Sequence, residues 1–189
     1  VIEHLLLQNF ASFFDVGDHG HMKLRGADWN DALDMGKDKG ESVAFTAAYA
    51  GNYKKLAAIL REYKKTFGKD TIKAAAELEG LLGVYDEAKL QSVLNQYCEC
   101  VKTGFSGSKK AFAIDTLADD LEKKSEWITT HIRETEWFTD TEGYSRYNGY
   151  YDNSGNALEK NGDKHGNPAM MLTSQVFTVM SGIASEDQI

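Results

Sequence analysis

The chain has 189 residues, 42% hydrophobic and 26% charged, and its 21 basic against 29 acidic residues leave a net charge of −8. That balance suits a globular domain with a real core, and the acidic surplus argues against nucleic acid or an anionic membrane as the main partner. No apolar run reaches the ~20 residues that span a bilayer, and Val1-Ile2-Glu3-His4 lacks the basic-then-apolar start of a signal peptide, so a cytoplasmic setting is expected. The chain has no initiator Met and opens inside an apparent helix, which reads as a fragment.

The single proline, Pro168, favours long helices, because proline breaks them. Leu6, Phe10, Phe13 and Phe14 predict a helix over 3–14, stopped at Gly17 and Gly20. Residues 16–40, rich in glycine and charge, read as a long loop of the kind that carries function. A helix is expected from Glu41 to Phe67, with Tyr49, Tyr53, Leu56, Leu60, Tyr63 and Phe67 on one face. Gly51-Asn52 interrupts that pattern, and Gly68 suits a C-terminal stop.

A shorter helix is expected over 71–82, and another over 86–102 with Leu90, Val93, Leu94, Tyr97 and Val101 in register. Cys98 and Cys100 sit on this element, where C-x-C spacing points them apart and suits neither a disulfide nor zinc. One thiol is expected buried and one partly exposed, in a reducing compartment. Residues 103–113 read as a Gly/Ser/Lys loop, followed by a helix capped by Asp115 or Thr116 and running to His131. Turn signals and tyrosines over 136–170 predict a loop or β-hairpin excursion, and a final helix is expected over 172–184. The fold class is therefore mainly α, with helices packed either in pairs round a centre or as a plain bundle.

The densest polar cluster is Arg25-Gly26-Ala27-Asp28-Trp29-Asn30-Asp31. Cleavage of a glycosidic bond needs a proton donor for the leaving oxygen, usually a carboxylic acid. An indole face stacks on a sugar ring, and an amide both donates to and accepts from hydroxyls. The plainer alternative makes Asp28 or Asp31 a helix cap and Trp29 a core residue.

The run His19-Gly20-His21-Met22-Lys23-Leu24-Arg25-Gly26-Ala27-Asp28-Trp29-Asn30-Asp31, followed by Gly40-Glu41-Ser42-Val43, resembles the D-W-N-D…G-E-S-V block of cellobiose and chitobiose phosphorylases, glycoside hydrolase family 94. Trp137-Phe138, Tyr144 to Gly155, and Ser174-Gln175-Val176-Phe177 with Ser181-Gly182 resemble the later strand pair and S-Q helix of that family. The resemblance implies part of an (α/α)6 barrel, with upstream and downstream parts missing from these residues. It implies inverting phosphorolysis of a β-glucoside or β-glucan oligosaccharide to an α-sugar 1-phosphate. Asp31 is then the general acid, Trp29 lies against the sugar, and Arg25 and Asp28 line the pocket or serve structure.

Inorganic phosphate is the co-substrate and the nucleophile, so no base, no cofactor and no metal is expected. The family's phosphate-holding residues fall outside this stretch. An isolated chain should be nearly inactive, with apolar helix faces awaiting the remaining parts of the barrel; a homodimer is compatible with this reading. Departures from the family pattern, at Ala32-Leu33, at Val176-Phe177, in the longer 68–115 stretch and in the tyrosine-rich 144–151, suit a longer β-glucan.

Two rival readings are a non-catalytic carbohydrate-binding barrel fragment and an inverting hydrolase. The hydrolase needs a second carboxylate ~6.5–9.5 Å from Asp31. Glu41 reads as a helix start favoured by the dipole, with orientation of Asp31 as the alternative. Asp152-Asn153-Ser154-Gly155-Asn156 lacks the calcium-loop pattern and reads as an ordinary turn. His19 and His21, without a third ligand, do not read as a metal site. Trp127 and Trp137 read as packing residues.

Overall fold

A computed structural model describes residues 1–25, 36–162, 165 and 167–189. Among these the chain is mainly helical, with small antiparallel sheets between the helices. No helix among the described residues is long and apolar enough to cross a membrane. The chain divides into two compact units, one formed by Val1–Asp15 and Asn52–Glu126, the other by Val16–Gly51 and Trp127–Ile189.

In the first unit, α1 (Ile2–Ser12) buries Leu6 and Phe10, and Phe13 and Phe14 follow them into the core. Phe13 meets Phe14 edge-on at 5.3 Å and Tyr53 at 6.4 Å. Helix α2 (Val43–Phe67) supplies Tyr53, Leu56 and Leu60 to this core, but Phe67 at its end is exposed. Gly68, with φ +58, ends the helix in the left-handed conformation that glycine adopts without strain.

The expected helix over 71–82 is instead strand β3 (Thr71–Ala75) followed by a 3-10 turn (Ala76–Leu81). The end of the expected 103–113 loop is β4 (Lys109–Ala113). They pair antiparallel with Ile72 opposite Phe112, both buried. Pairing across a distant stretch overrides the helical leaning of Ala74 and Ala75. The Glu3 carboxylate binds the pair's end, accepting from the Ala75 amide at 2.7 Å and from Lys109.

Helix α3 (Glu87–Val101) is capped by Asp86, which accepts from the Ala88 amide at 3.1 Å. It buries Leu90 and Leu94, and both Cys98 and Cys100 are exposed free thiols, contrary to the expectation that one is buried. Helix α4 (Ile114–Thr135) starts one residue before the expected caps and buries Leu117, Leu121, Ile128 and Ile132, as its spacing predicts.

Lys124 on α4 is 0% exposed. Its ammonium pairs with Asp120 one turn earlier and lies 5.0–5.5 Å from the rings of Phe10, Phe13, Phe14 and Tyr85. Burial lowers the Lys124 pKa while Asp120 opposes it. Asp120 also accepts from the Gly83 amide at 2.5 Å.

In the second unit, β1 (Met22–Lys23), β2 (Glu41–Ser42) and β7 (Tyr150–Tyr151) form a sheet in the order β1-β2-β7. The stretch 16–40 is thus not all loop; Val16 also bridges to Met22. The excursion expected over 136–170 contains the hairpin β5 (Trp137–Thr139) and β6 (Ser145–Tyr147), then α5 (Leu158–Asn161). The hairpin turn is held by Asp140, which accepts from the Glu142 and Tyr144 amides at 2.9 Å and pairs with Arg146.

The last helix, α6 (Leu172–Met180), ends before Gly182 at φ +73, short of the expected Ala184. Leu24, Ala44 and Tyr150 form a small core, with Phe45, Leu158, Met171 and Phe177 packed on it. Leu172, Val176, Val179 and Met180 leave an apolar face of α6 exposed. Gly51-Asn52 does not break α2. A Cβ on Gly51 would lie 3.1 Å from that of Ser181, so glycine serves a close approach there.

Asp120→Ala should destabilise the first unit by about 3–5 kcal/mol, because it leaves a buried ammonium without its carboxylate. Urea unfolding measures this; a loss below about 1 kcal/mol would mean that the rings alone hold the charge.

Candidate functional site

The segment carrying Asp28, Trp29 and Asp31 lies outside the described residues, but both of its flanks are described. On the near side, Met22 and Lys23 of β1 lie opposite Ser42 and Glu41 of β2. The Leu24 amide donates to the Gly40 carbonyl at 2.9 Å, so the chain before the segment is bonded to the chain after it. The Met22 amide donates to Thr46 Oγ1 at 2.8 Å, which ties β1 to the first turn of α2.

On the far side, the Gly40 amide donates to the Gly36 carbonyl at 2.8 Å. A Cβ on Gly40 would fall 2.3 Å from Gly36 Cα, so this approach requires glycine. The Asp38 and Lys39 amides both donate to Asn153 Oδ1, at 2.9 and 2.8 Å. Asn153 belongs to a turn in which Asp152 Oδ1 accepts from the Ser154 and Asn156 amides, each at 2.8 Å. The expected ordinary turn therefore stands, and it anchors the returning chain.

Three buried carboxyl groups sit behind this frame. Glu41, 2% exposed, is in β2 rather than at a helix start. Ser42 takes the capping role, its Oγ accepting from the Phe45 amide at 3.0 Å. The Glu41 carboxylate instead gathers the 17–21 turn. It accepts from the His19 amide at 3.2 Å and the His21 amide at 3.0 Å, and lies 2.8 Å from His19 Nδ1. A Cβ on Gly17 would fall 2.3 Å from Glu41 Cδ, so only glycine leaves room for this carboxylate.

Glu136, at the junction of α4 and β5, is 1% exposed. It accepts from Tyr151 Oη at 2.9 Å, Asn148 Nδ2 at 2.9 Å and His21 Nε2 at 3.1 Å, with Lys160 Nζ 3.7 Å away. Burial pushes this carboxyl up, but the hydrogen bonds from His21 and Asn148 and the Lys160 ammonium outweigh it and hold it below the usual carboxylate range. Burial dominates at His21 and lowers its pKa despite Glu136, leaving a neutral ring that donates from Nε2. Among the described residues, His21 Nδ1 has no hydrogen-bond partner.

Burial raises the pKa of the third group, Glu159, although the Gly149 amide donates to it at 2.8 Å. A Cβ on Gly149 would fall 2.6 Å from Glu159 Oε1, and the Gly149 carbonyl accepts from the Val43 amide at the start of α2.

Rings fill the space between these groups. His19 stacks on Tyr151 at 3.8 Å, His21 faces His131 at 4.9 Å, and Trp127 stacks on His131 at 5.1 Å. His131 donates from Nε2 to the His19 carbonyl at 2.8 Å. Trp137 packs on Tyr147 at 4.8 Å, so both tryptophans are packing residues as expected.

Of the predicted site residues, Arg25 alone is described. It is exposed and holds φ +53, a left-handed conformation that a non-glycine residue adopts at a cost of about 1 kcal/mol. Asp28, Trp29 and Asp31 are not placed. Glu136 and Glu159 were not anticipated: Glu136 follows Glu134 at the end of a helix, Glu159 precedes Lys160, and nothing local marks either as buried. Among the described residues, no group of three or more His, Cys, Asp or Glu is arranged to hold a metal ion. Comparison with protein-family models and with curated proteins found no match.

The shifts at His21 and Glu136 both make the second unit acid-labile. An imidazole held below its ordinary 6.5 protonates later than in the unfolded chain, so stability falls as pH drops below that value. The Glu136 contribution is complete above 4.5 and is lost as pH falls below that value. His21→Gln should flatten the upper limb, read as urea midpoints at about pH 7.5 and about pH 5.5; parallel limbs for variant and parent would exclude His21.

Proposed function

We propose that this chain is part of an (α/α)6 barrel that phosphorolyses a β-glucoside with inversion, Asp31 acting as general acid. Phosphate attacks the anomeric carbon from the face opposite the leaving group. The glycosidic C–O bond breaks, Asp31 gives its proton to the departing oxygen, and an α-sugar 1-phosphate forms. Trp29 supplies a stacking face for the ring, and Arg25 and Asp28 stand beside it in the sequence.

One observation carries this reading. Met22-Lys23, from the stretch before D-W-N-D, and Glu41-Ser42, from G-E-S-V after it, are paired as neighbouring strands β1 and β2. A catalytic acid needs its carboxyl fixed to within about half an ångström, and a segment tied at both flanks to a hydrogen-bonded frame suits that need.

Glu41 and Glu136 do not qualify as the base that a hydrolase would need. Glu41 and Glu136 are 2% and 1% exposed and already engaged by donors. A base that activates water must reach it, and neither of these does. The exposed apolar face of α6 supports further packing partners, such as the remaining barrel helices or a second copy. Two exposed free thiols suit the reducing cytoplasm.

The test is sugar release by the intact protein from β-linked disaccharides and oligoglucans, with and without phosphate. Release should require phosphate and yield α-sugar 1-phosphate by NMR, and Asp31→Asn should lower kcat by about 10²–10⁴-fold. Phosphate-independent release would make it a hydrolase, and sugar binding without turnover would make it a carbohydrate-binding module.

A further inference from the structure

We propose that Glu136 is a positioning residue that clamps both edges of the β1-β2-β7 sheet, whose strands β1 and β2 flank the acid-bearing segment in the chain; its catalytic consequence rests on the phosphorolysis reading. The strands are two residues long, too short to hold a register by their own ladder. The few backbone bonds beside them, such as Leu24 to Gly40 and Val43 to Gly149, leave a role for side chains outside the sheet.

Glu136 is suited to this by where it is fixed and what it touches. Its backbone is anchored at the end of α4, with its amide donating to the Ile132 carbonyl at 3.0 Å and its carbonyl accepting from the Asn148 amide at 2.9 Å. From there the carboxylate reaches His21, the residue before β1, at 3.1 Å, and Tyr151 of β7 at 2.9 Å. The central strand β2 pairs with both, Glu41 lying opposite Lys23 on one side and Tyr151 on the other. One side chain thus ties the strand entering the D-W-N-D segment to the strand that supports its return.

The other buried acids do not do this. Glu41 is bonded to the His19-to-His21 turn, and Glu159 to the loop at Gly149. Glu136 is also sealed from solvent, so it acts on the reaction through geometry rather than by touching substrate.

Glu136→Gln keeps the shape but replaces one acceptor oxygen by a donor that faces donors, which loosens the clamp without emptying the space. Hydrogen–deuterium exchange of the intact protein reads the loosening. The Met22, Leu24 and Gly40 amides should exchange on the order of tenfold faster, while those of β3 and β4 keep their rates. Under phosphate, kcat should fall on the order of tenfold with KM for the sugar within about threefold, because positioning of the acid matters in the transition state.

Flank amides that keep their rates, or β3–β4 amides that accelerate equally, would overturn the clamp. Faster flank exchange in a protein whose parent form shows no phosphate-dependent release would uphold the clamp and remove the phosphorolysis reading. Tyr151→Phe deletes one donor to Glu136 and should give the same local pattern at smaller amplitude. It decides the question if Glu136→Gln does not fold.

Discussion

A carboxylate sealed from water survives only where donors converge on it, and that requirement at Glu136 organises the second unit. Its donors come from two distant stretches of chain, His21 before β1 and the 148–151 stretch with Asn148 and Tyr151, and the Lys160 ammonium on α5 lies nearby. No neighbouring pair of them is close in sequence to Glu136, so the group can be satisfied only when the stretches are assembled. The cost of burying the charge thereby becomes a demand for one arrangement of strands that are individually too short to specify it.

The first unit uses the same logic with the sign reversed. The Lys124 ammonium is enclosed by aromatic faces and a single carboxylate one helical turn away. The rings supply negative faces as well as apolar bulk, so Phe10, Phe13 and Phe14 serve at once as core and as counter-charge. Each unit thus encloses an ion whose partners must be assembled around it, since a buried charge that loses its partner is strongly destabilising.

The helices were legible because burial at a 3.6-residue period leaves its mark in the residues themselves. Leu6 and Phe10 on α1, and Leu117, Leu121, Ile128 and Ile132 on α4, are buried where their spacing puts them. Strands β3 and β4 were not legible, because Thr71–Ala75 contains alanines that favour helix locally and its partner lies far along the chain. Tertiary pairing settles such cases, and no short window contains it. The site shows the same division. The glycine at 40 and the acid at 41 stood out as part of a motif and Gly17 as a helix stop, and the structure shows what they do: the glycines leave room, and the acid gathers the turn. Glu136 carried no local mark, since its significance lies wholly in residues brought to it from elsewhere.

The enclosure of Lys124 has a consequence for the chemistry of the intact molecule. Amine-directed reagents such as anhydrides and activated esters attack the free base from solvent, and this nitrogen is closed off from solvent by four rings. It stays unacylated while the first unit is folded and becomes an ordinary reactive amine once Phe10, Phe13 and Phe14 separate. The modification state of a single lysine therefore records whether a given molecule has ever opened.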